Sequence, residues 1–462
     1  MPLVLGVDSS TQSTKVEVRD ADTGALVGAG SAPHPPTFPP RSEQSPSTWW
    51  DAYERARAGL PNVDAIAVAG QQHGLVVLDG AGAVVRPAKL WNDTESSSDA
   101  RWLRSRLDDA HWARACGSVP VAAFTITKLS WLHRSEPDAW SRLARVCLPH
   151  DWLTFRLSGE FVTDRGDASG TGYFSASAGA YRLDLLSLVD DGVDWSTRLP
   201  RVLSPTEAAG QSGGALVTPG TGDNMAAALG IGLAPGDVAI SLGTSGTVFA
   251  VSEIPTFDSS GAVAGFADAT GRFLPLVCTL NATKVTDAVA RLLGVDHDRL
   301  DALALEAAAG AGGVTVVPYF DGERTPDRPD ATGTLAGLRS NVTREQLARA
   351  AFEGVACGLL DGLDALRATG VTVDGELVLV GGGARSRAFP RVFADLTGRP
   401  VRVTGVAEPA AAGACVQAAA VLHGRDPVDV AKAWAPADRV VVEPAAAIDA
   451  DAVRARYRQV RG

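Results

Sequence analysis

The sequence predicts an α/β protein built from two related halves, and three observations carry that prediction. First, residues 3–18 (LVLGVDSSTQSTKVEV) hold an apolar strand, a turn of small hydroxyl residues and a second strand, and 237–251 (DVAISLGTSGTVFAV) repeat that pattern. Setting Thr11 on Thr244 gives an offset of 233 residues, with Asp8 on Ser241, Ser13 on Gly246 and Thr14 on Thr247. Second, strand-like and helix-like runs alternate along the chain, as in mixed sheets flanked by helices. Third, 462 residues suit two large domains at about 100–200 residues each.

Each copy of the repeat begins as a hairpin followed by a further strand, at 23–32 in the first and 261–277 in the second. VDAIAVAG (63–70) is a buried apolar run ending in glycine, and LVVLD (75–79) a shorter strand. Residues 343–369 carry apolar side chains at helical spacing behind a Thr343-x-x-Gln346 capping box. ELVLVGGG (376–383) is a strand emptying into glycines. The expected domains are 1–233 and 234–425, with a tail at 426–462 that ends in a surface helix.

Composition excludes several classes. The net charge is -11, with 53 Asp+Glu against 42 Lys+Arg, so no broad basic surface exists for nucleic acid. No apolar run reaches the ~20 residues of a membrane span, and no signal-peptide pattern is evident. The five scattered cysteines form no C-x-x-C pair, which fits a reducing cytoplasm. Nine of ten tryptophans lie in the first 195 residues. Such side chains suit a ligand wall as well as a core.

Three segments can hold a phosphorylated ligand. In DSSTQSTK (8–15), main-chain N–H groups and hydroxyls converge on a turn, which suits phosphate oxygens. Asp8 repels phosphate but suits Mg²⁺, and Lys15 is a candidate counter-charge. LGTSGT (242–247) offers Gly243 and Gly246 for close backbone approach, with hydroxyls between them. VGGGARS (380–386) lies at a strand-to-helix junction where a flat ring could rest on backbone.

These segments resemble the FGGY group of sugar kinases, within the actin/hexokinase superfamily. The resemblance runs from residue 3 to about 423. It is carried by GVDSSTQSTKV, GQQHGLVVLD, LWND, FTITKLSWL, LPHDWLTFRLSGEFVTDRGDASGTGYF, GTGDNMAAALGIG, SLGTSGTV, VPYFDGERTP, GTLAGLRSNVTREQLARAAFEG and LVGGGARS. The blocks G-Q-x-H-G, L-W-N-D and G-D-N are most similar to the xylulokinase branch. The resemblance implies two duplicated ribonuclease-H-like domains with an interdomain cleft that closes to exclude water. It also implies ATP and Mg²⁺ as cofactors and a ketopentose, D-xylulose, as acceptor. Other ketoses or polyols (ribulose, glycerol), a non-catalytic ATPase and a sugar sensor are the alternatives. A homodimer is left open.

The resemblance also assigns residues. Asp223 is the catalytic base, although an Asp ahead of an alanine-rich helix also reads as an N-cap. Gln72, His73 and Asn224 join it in sugar binding. Thr11, Gln12 and Ser13 are first-loop phosphate residues, Gly243 and Thr244 their second-half counterparts. Gly382, Gly383 and Ala384 belong near adenosine, and Asp8 holds the metal. Lys15 and Lys128 are further phosphate candidates. Trp91, Asn92 and Asp93 read equally as pocket wall or buried turn. Three positions depart from the usual pattern: Ser10 replaces a glycine of the first loop, His150 a common lysine, and Pro409 interrupts the C-terminal E-G-A-A segment.

Overall fold

A computed structural model describes residues 1–435, 440–445 and 448–462. The expected tail therefore falls partly outside the described residues. The chain forms two compact units. The first contains 1–233, 253–274 and 406–435, and the second 234–252, 275–405 and 436–462. Segments 253–274 and 406–425, expected with the C-terminal half, thus pack in the first unit.

In the first unit the strands are β1 (Leu3–Ser9), β2 (Ser13–Asp20), β3 (Leu26–Pro33), β4 (Ala65–Gly70), β5 (Gly210–Ser212), β6 (Ala215–Val217) and β7 (Thr221–Gly222). They lie in the order β5–β6–β4–β1–β2–β3, with β7 also paired to β4. β1, β6 and β7 run parallel to β4, and β2 runs antiparallel to β1. All six β4 side-chain positions are buried, as a central parallel strand requires.

The second unit carries β8 (Val238–Leu242), β9 (Gly246–Ala250), β10 (Phe273–Thr279), β11 (Leu377–Val380), β12 (Val401–Val403) and β13 (Val440–Val442). Their order is β10–β9–β8–β11–β12–β13. Matching β8 to β1 reproduces the order β4–β1–β2–β3 and the sequence of parallel and antiparallel pairs, while the two strands beyond β4 stand in the opposite chain order. The sequence repeat is thus a structural duplication. Its ungapped alignment needs one correction. Ser9 pairs with Thr14 across four intervening residues, whereas Leu242 pairs with Gly246 across three. Ladder position therefore sets Thr14 on Gly246 and Lys15 on Thr247, because the second turn is one residue shorter.

The helix foreseen at 343–369 spans Arg344–Ala368, and both halves of the Thr343/Gln346 capping box form. The strand foreseen at 261–277 is two strands, Ala264–Ala267 and β10, and the former lies in the first unit. The C-terminal helix foreseen on the surface spans Ala450–Arg461, and one face of it is anchored. Tyr457 is buried, and Arg454 and Arg461 pair with Asp361 on the long helix.

All ten tryptophans lie in the first unit, including Trp434, which packs against the Gly24 turn. Trp49, Trp112, Trp131, Trp152 and Trp195 are buried in two apolar clusters. Much of their uneven distribution therefore reflects core building in this unit. All five cysteines are free. Burial pushes the thiols of Cys116 and Cys357 up to about 12, so they serve as small apolar side chains.

Candidate active site

Parallel strands expose their carboxyl ends together, and the loops leaving them collect ligand-facing groups. In the first unit β1, β4 and β7 do so. Ser9 lies beside Gly70, and Gly70 beside Gly222. The chain then leaves these strands as the hydroxyl turn after Ser9, as Gln71–Gln72–His73, and as Asp223–Asn224.

Asp223 opens the helix Asp223–Gly230, but Gly222 is the N-cap residue, so the expected cap role belongs to its neighbour. The Asp223 carboxylate instead accepts from the Asn224 main-chain N–H (2.8 Å) and Nδ2 (3.0 Å). Asn224 Nδ2 also donates to Gln72 Oε1 at 2.7 Å. Asp223, Asn224 and Gln72 are thus linked, and Gln72 Nε2 is a buried donor with no partner among the described residues. Burial, reinforced by the carboxylates of Asp8 and Asp167, pushes the Asp223 carboxyl up to about 8.

The Asp223 helix is braced by the Ala/Gly-rich helix Pro409–His423. A Cβ on Gly413 would lie 1.8 Å from Ala226 O, and one on Gly230 2.1 Å from Pro409 O. Gln417 accepts from Thr218 Oγ1 (3.1 Å) and donates to Gly220 O (3.1 Å), holding the approach to β7. Pro409 stands at the first turn of its helix, where no N–H is needed.

Asp8 is buried, and its Oδ1 has no hydrogen-bond partner among the described residues. Burial pushes its carboxyl up to about 6. Among the described residues only His73 and Ala311 combine a side chain with positive φ. Ser10 therefore needs no left-handed backbone, and its Cβ imposes no conformational strain. Thr11 Oγ1 donates to Gln71 Oε1 (3.3 Å) and accepts from Trp91 Nε1 (2.9 Å). Gln12 is exposed and Ser13 partly so. Lys15 is ion-paired with Glu408 at 2.6 Å. Lys128 is buried and donates to Ala122 O (2.8 Å) and Ala123 O, so it braces a turn. Asp93 is also a buried brace, accepting from Lys89 (2.9 Å) and Ser42 N (2.9 Å). Glu43, Asp93 and Glu95 gather closely, but Lys89 already occupies their centre.

In the second unit β8 and β11 are parallel neighbours, and their carboxyl ends bring two glycine-bearing segments together. Gly243 O accepts from Thr283 N (3.0 Å), and Thr244 is exposed at the turn. Gly381 takes φ +88°, which favours glycine. Gly382 faces open space, whereas a Cβ on Gly383 would lie 2.7 Å from Thr283 Cγ2 and 2.8 Å from Leu242 Cβ. Ala384 is buried, leaving its main chain as the group available to a ligand.

The N-terminal domain of the FGGY family of carbohydrate kinases matches residues 3–230, and the C-terminal domain matches 238–422. The chain belongs to the FGGY family of carbohydrate kinases. It is 47% identical over 456 residues to the xylulose kinase of Streptomyces rubiginosus, covering 96% of this chain and 92% of that one. The crystal structure of xylulose kinase from Bifidobacterium adolescentis matches with TM-score 0.88 and 42% identity, covering 100% and 99%. A kinase from Brucella ovis matches with TM-score 0.92 and 30% identity, covering 99% and 98%. Among the described residues of this FGGY kinase, no helix is long and apolar enough to cross a membrane.

Sequence reasoning left Gln71, His150, Asp164 and Asp167 without roles, although all stand in blocks that carry the family resemblance. His150, which stands where a lysine is common, is wholly buried, with Nδ1 2.8 Å from Asp167 Oδ2. Its significance depends on which acids fold around it, and no local spacing encodes that.

Proposed function

We propose that this FGGY kinase phosphorylates D-xylulose at its terminal hydroxyl, with MgATP as donor. The observation that carries the reading is the linked Asp223–Asn224–Gln72 set at the carboxyl ends of the parallel strands β4 and β7, in a chain 47% identical to a xylulose kinase.

Gln72, His73 and Asn224 offer a mixture of donors and acceptors suited to a polyol. The unpartnered Gln72 Nε2 is a ready donor for a sugar oxygen. Asp223 accepts the proton of the terminal hydroxyl as that oxygen bonds to γ-phosphorus and the bond from phosphorus to the ADP oxygen breaks. A carboxylate raised towards 8 binds this proton far better than an ordinary one, which suits a base working near neutral pH.

The turns at Thr11–Ser13, Gly243–Thr244 and Gly382–Ala384 are the nucleotide-binding elements of the proposal, acting through main-chain N–H groups and hydroxyls. Asp8 would hold Mg²⁺, because its buried, unpartnered oxygen is the kind of ligand that ion takes. When bound, the ion would offset charge on the phosphates. A cytoplasmic location accords with five free cysteines.

A coupled ADP-release assay over a panel of ketoses and polyols tests the reading. Turnover highest with D-xylulose is expected. Preference for ribulose or glycerol overturns the substrate, and turnover stimulated by no sugar overturns the kinase mechanism.

A further inference from the structure

We propose that His150 and Asp167 form a buried positioning pair for sugar recognition, in which the imidazole holds the Asp167 carboxylate beneath His73 and so maintains the Gln72–His73 turn. The inference rests on the proposed sugar-binding role of that turn.

His73 is where support is needed. Its φ of +66° is unusual for a residue with a side chain and costs on the order of 1–2 kcal/mol. Its surroundings hold it there. Its carbonyl accepts from Thr125 Oγ1 (3.2 Å). Its ring packs against Phe124 and Phe266, with centroids 5.1 and 5.3 Å away. The Asp167–Gly170 turn lies against its ring, a Cβ on Gly170 falling 2.2 Å from His73 Nδ1, and the His73 main chain helps draw the Asp167 carboxyl down. Only the last depends on charge.

Asp167 is itself fully buried, and its carboxylate is paired with His150. The other side of the imidazole meets two more acids: Nε2 lies 3.2 Å from Asp151 Oδ1 and 3.6 Å from Asp164 Oδ1. Burial opposes charge on His150, but the carboxylates of Asp151, Asp167 and Asp164 outweigh it and push the imidazole up to about 10. It is therefore cationic at neutral pH, a single positive charge among three acids. Removing one member of such a buried set leaves the others uncompensated.

The network also touches both strands that deliver the site. A Cβ on Gly70 would lie 2.8 Å from His150 Cβ, and one on Gly220 2.8 Å from its Cδ2. The imidazole thus sits under the end of β4 and the turn into β7. Asp164 caps the main-chain N–H groups of Gly166 and Asp167 and accepts from Thr221 Oγ1 at 2.7 Å, two residues before Asp223. Displacing the cation should disturb the sugar-facing turn first, because that turn carries the strained residue.

The test is steady-state kinetics on the full chain, using the acceptor that wild type prefers in the sugar panel. H150Q and D167N should raise the KM for that acceptor at least tenfold while the KM for MgATP stays within twofold. H150K, which restores a cation, should bring the acceptor KM back to within about threefold of wild type. Parallel rises in both KM values, or a loss confined to thermal stability with both unchanged, overturn the proposal. If H150Q fails to fold, the near-isosteric D167N decides, and an unchanged acceptor KM in it refutes the pair. A wild-type enzyme that prefers another sugar removes the substrate assignment but leaves this comparison intact. One that uses no sugar removes both.

Discussion

Replacing Asp223 by Asn should move activity and stability in opposite directions. The amide oxygen can still accept from the Asn224 N–H, which the carboxylate does at 2.8 Å, so the turn survives. The amide cannot take up the hydroxyl proton. Loss of a general base costs about 10²–10⁴-fold in kcat, or ~3–5 kcal/mol of transition-state stabilisation. Stability should rise, because folding pushes this carboxyl from 3.8 to about 8. A group raised on folding favours the folded state fully below its unfolded value, and that contribution disappears as pH climbs through the folded one. In a dry site such a shift would correspond to roughly 5 kcal/mol. Asp223 is only partly buried, and solvent screening reduces this to on the order of 1–2 kcal/mol. The variant should therefore melt about 2–6 °C above wild type at pH 8. The difference should shrink as pH falls towards 4. Coupled ADP release and thermal melts over pH 4–9 measure both effects. Sugar-dependent turnover within tenfold of wild type, or a melting difference independent of pH, would refute the reasoning.

Asp8→Asn should raise the Mg²⁺ concentration needed for half-maximal turnover at least tenfold while leaving the acceptor KM within twofold, as a magnesium titration at fixed ATP would reveal. Gly6→Ala places a Cβ 2.0 Å from Ala411 O, and a backbone atom cannot give way cheaply. A loss of about 2–4 kcal/mol is expected in urea unfolding. The two glycines of the second unit should separate binding from folding. Gly382→Ala faces open space and should raise the KM for ATP with the melting temperature unchanged, whereas Gly383→Ala meets Thr283 and Leu242 and should lower the melting temperature by several degrees.

Much of this fold was legible because its signals are local. The duplicated hairpins announce themselves by apolar runs around a polar turn, and β4 by six consecutive small or branched apolar residues. The long helix was bounded by a capping box that needs only Thr343 and Gln346. The site was legible where a loop follows a strand end, as at Gln72–His73 and Asp223–Asn224. It was not legible where long-range packing decides. Lys15 looked like a phosphate counter-charge, yet its partner is Glu408, 393 residues away. The tryptophans looked like ligand walls and are mostly core. His150 gave no sign of its role, since Asp164 and Asp167 come from a different turn of the chain.

The sequence by itself determined the α/β class, the duplication and the chemical types of the site residues, because hydrophobic period and turn composition act over a few neighbouring residues. Only the tertiary structure decided which charges are spent on one another and which are left for a ligand. It pairs Lys15 with Glu408, Lys89 with Glu43 and His150 with Asp167, and among the described residues it leaves Asp8 Oδ1 and Gln72 Nε2 without partners. The physical reason is burial: a charge or amide removed from water must find a partner in space, and its neighbours in space are set by how strands and helices pack.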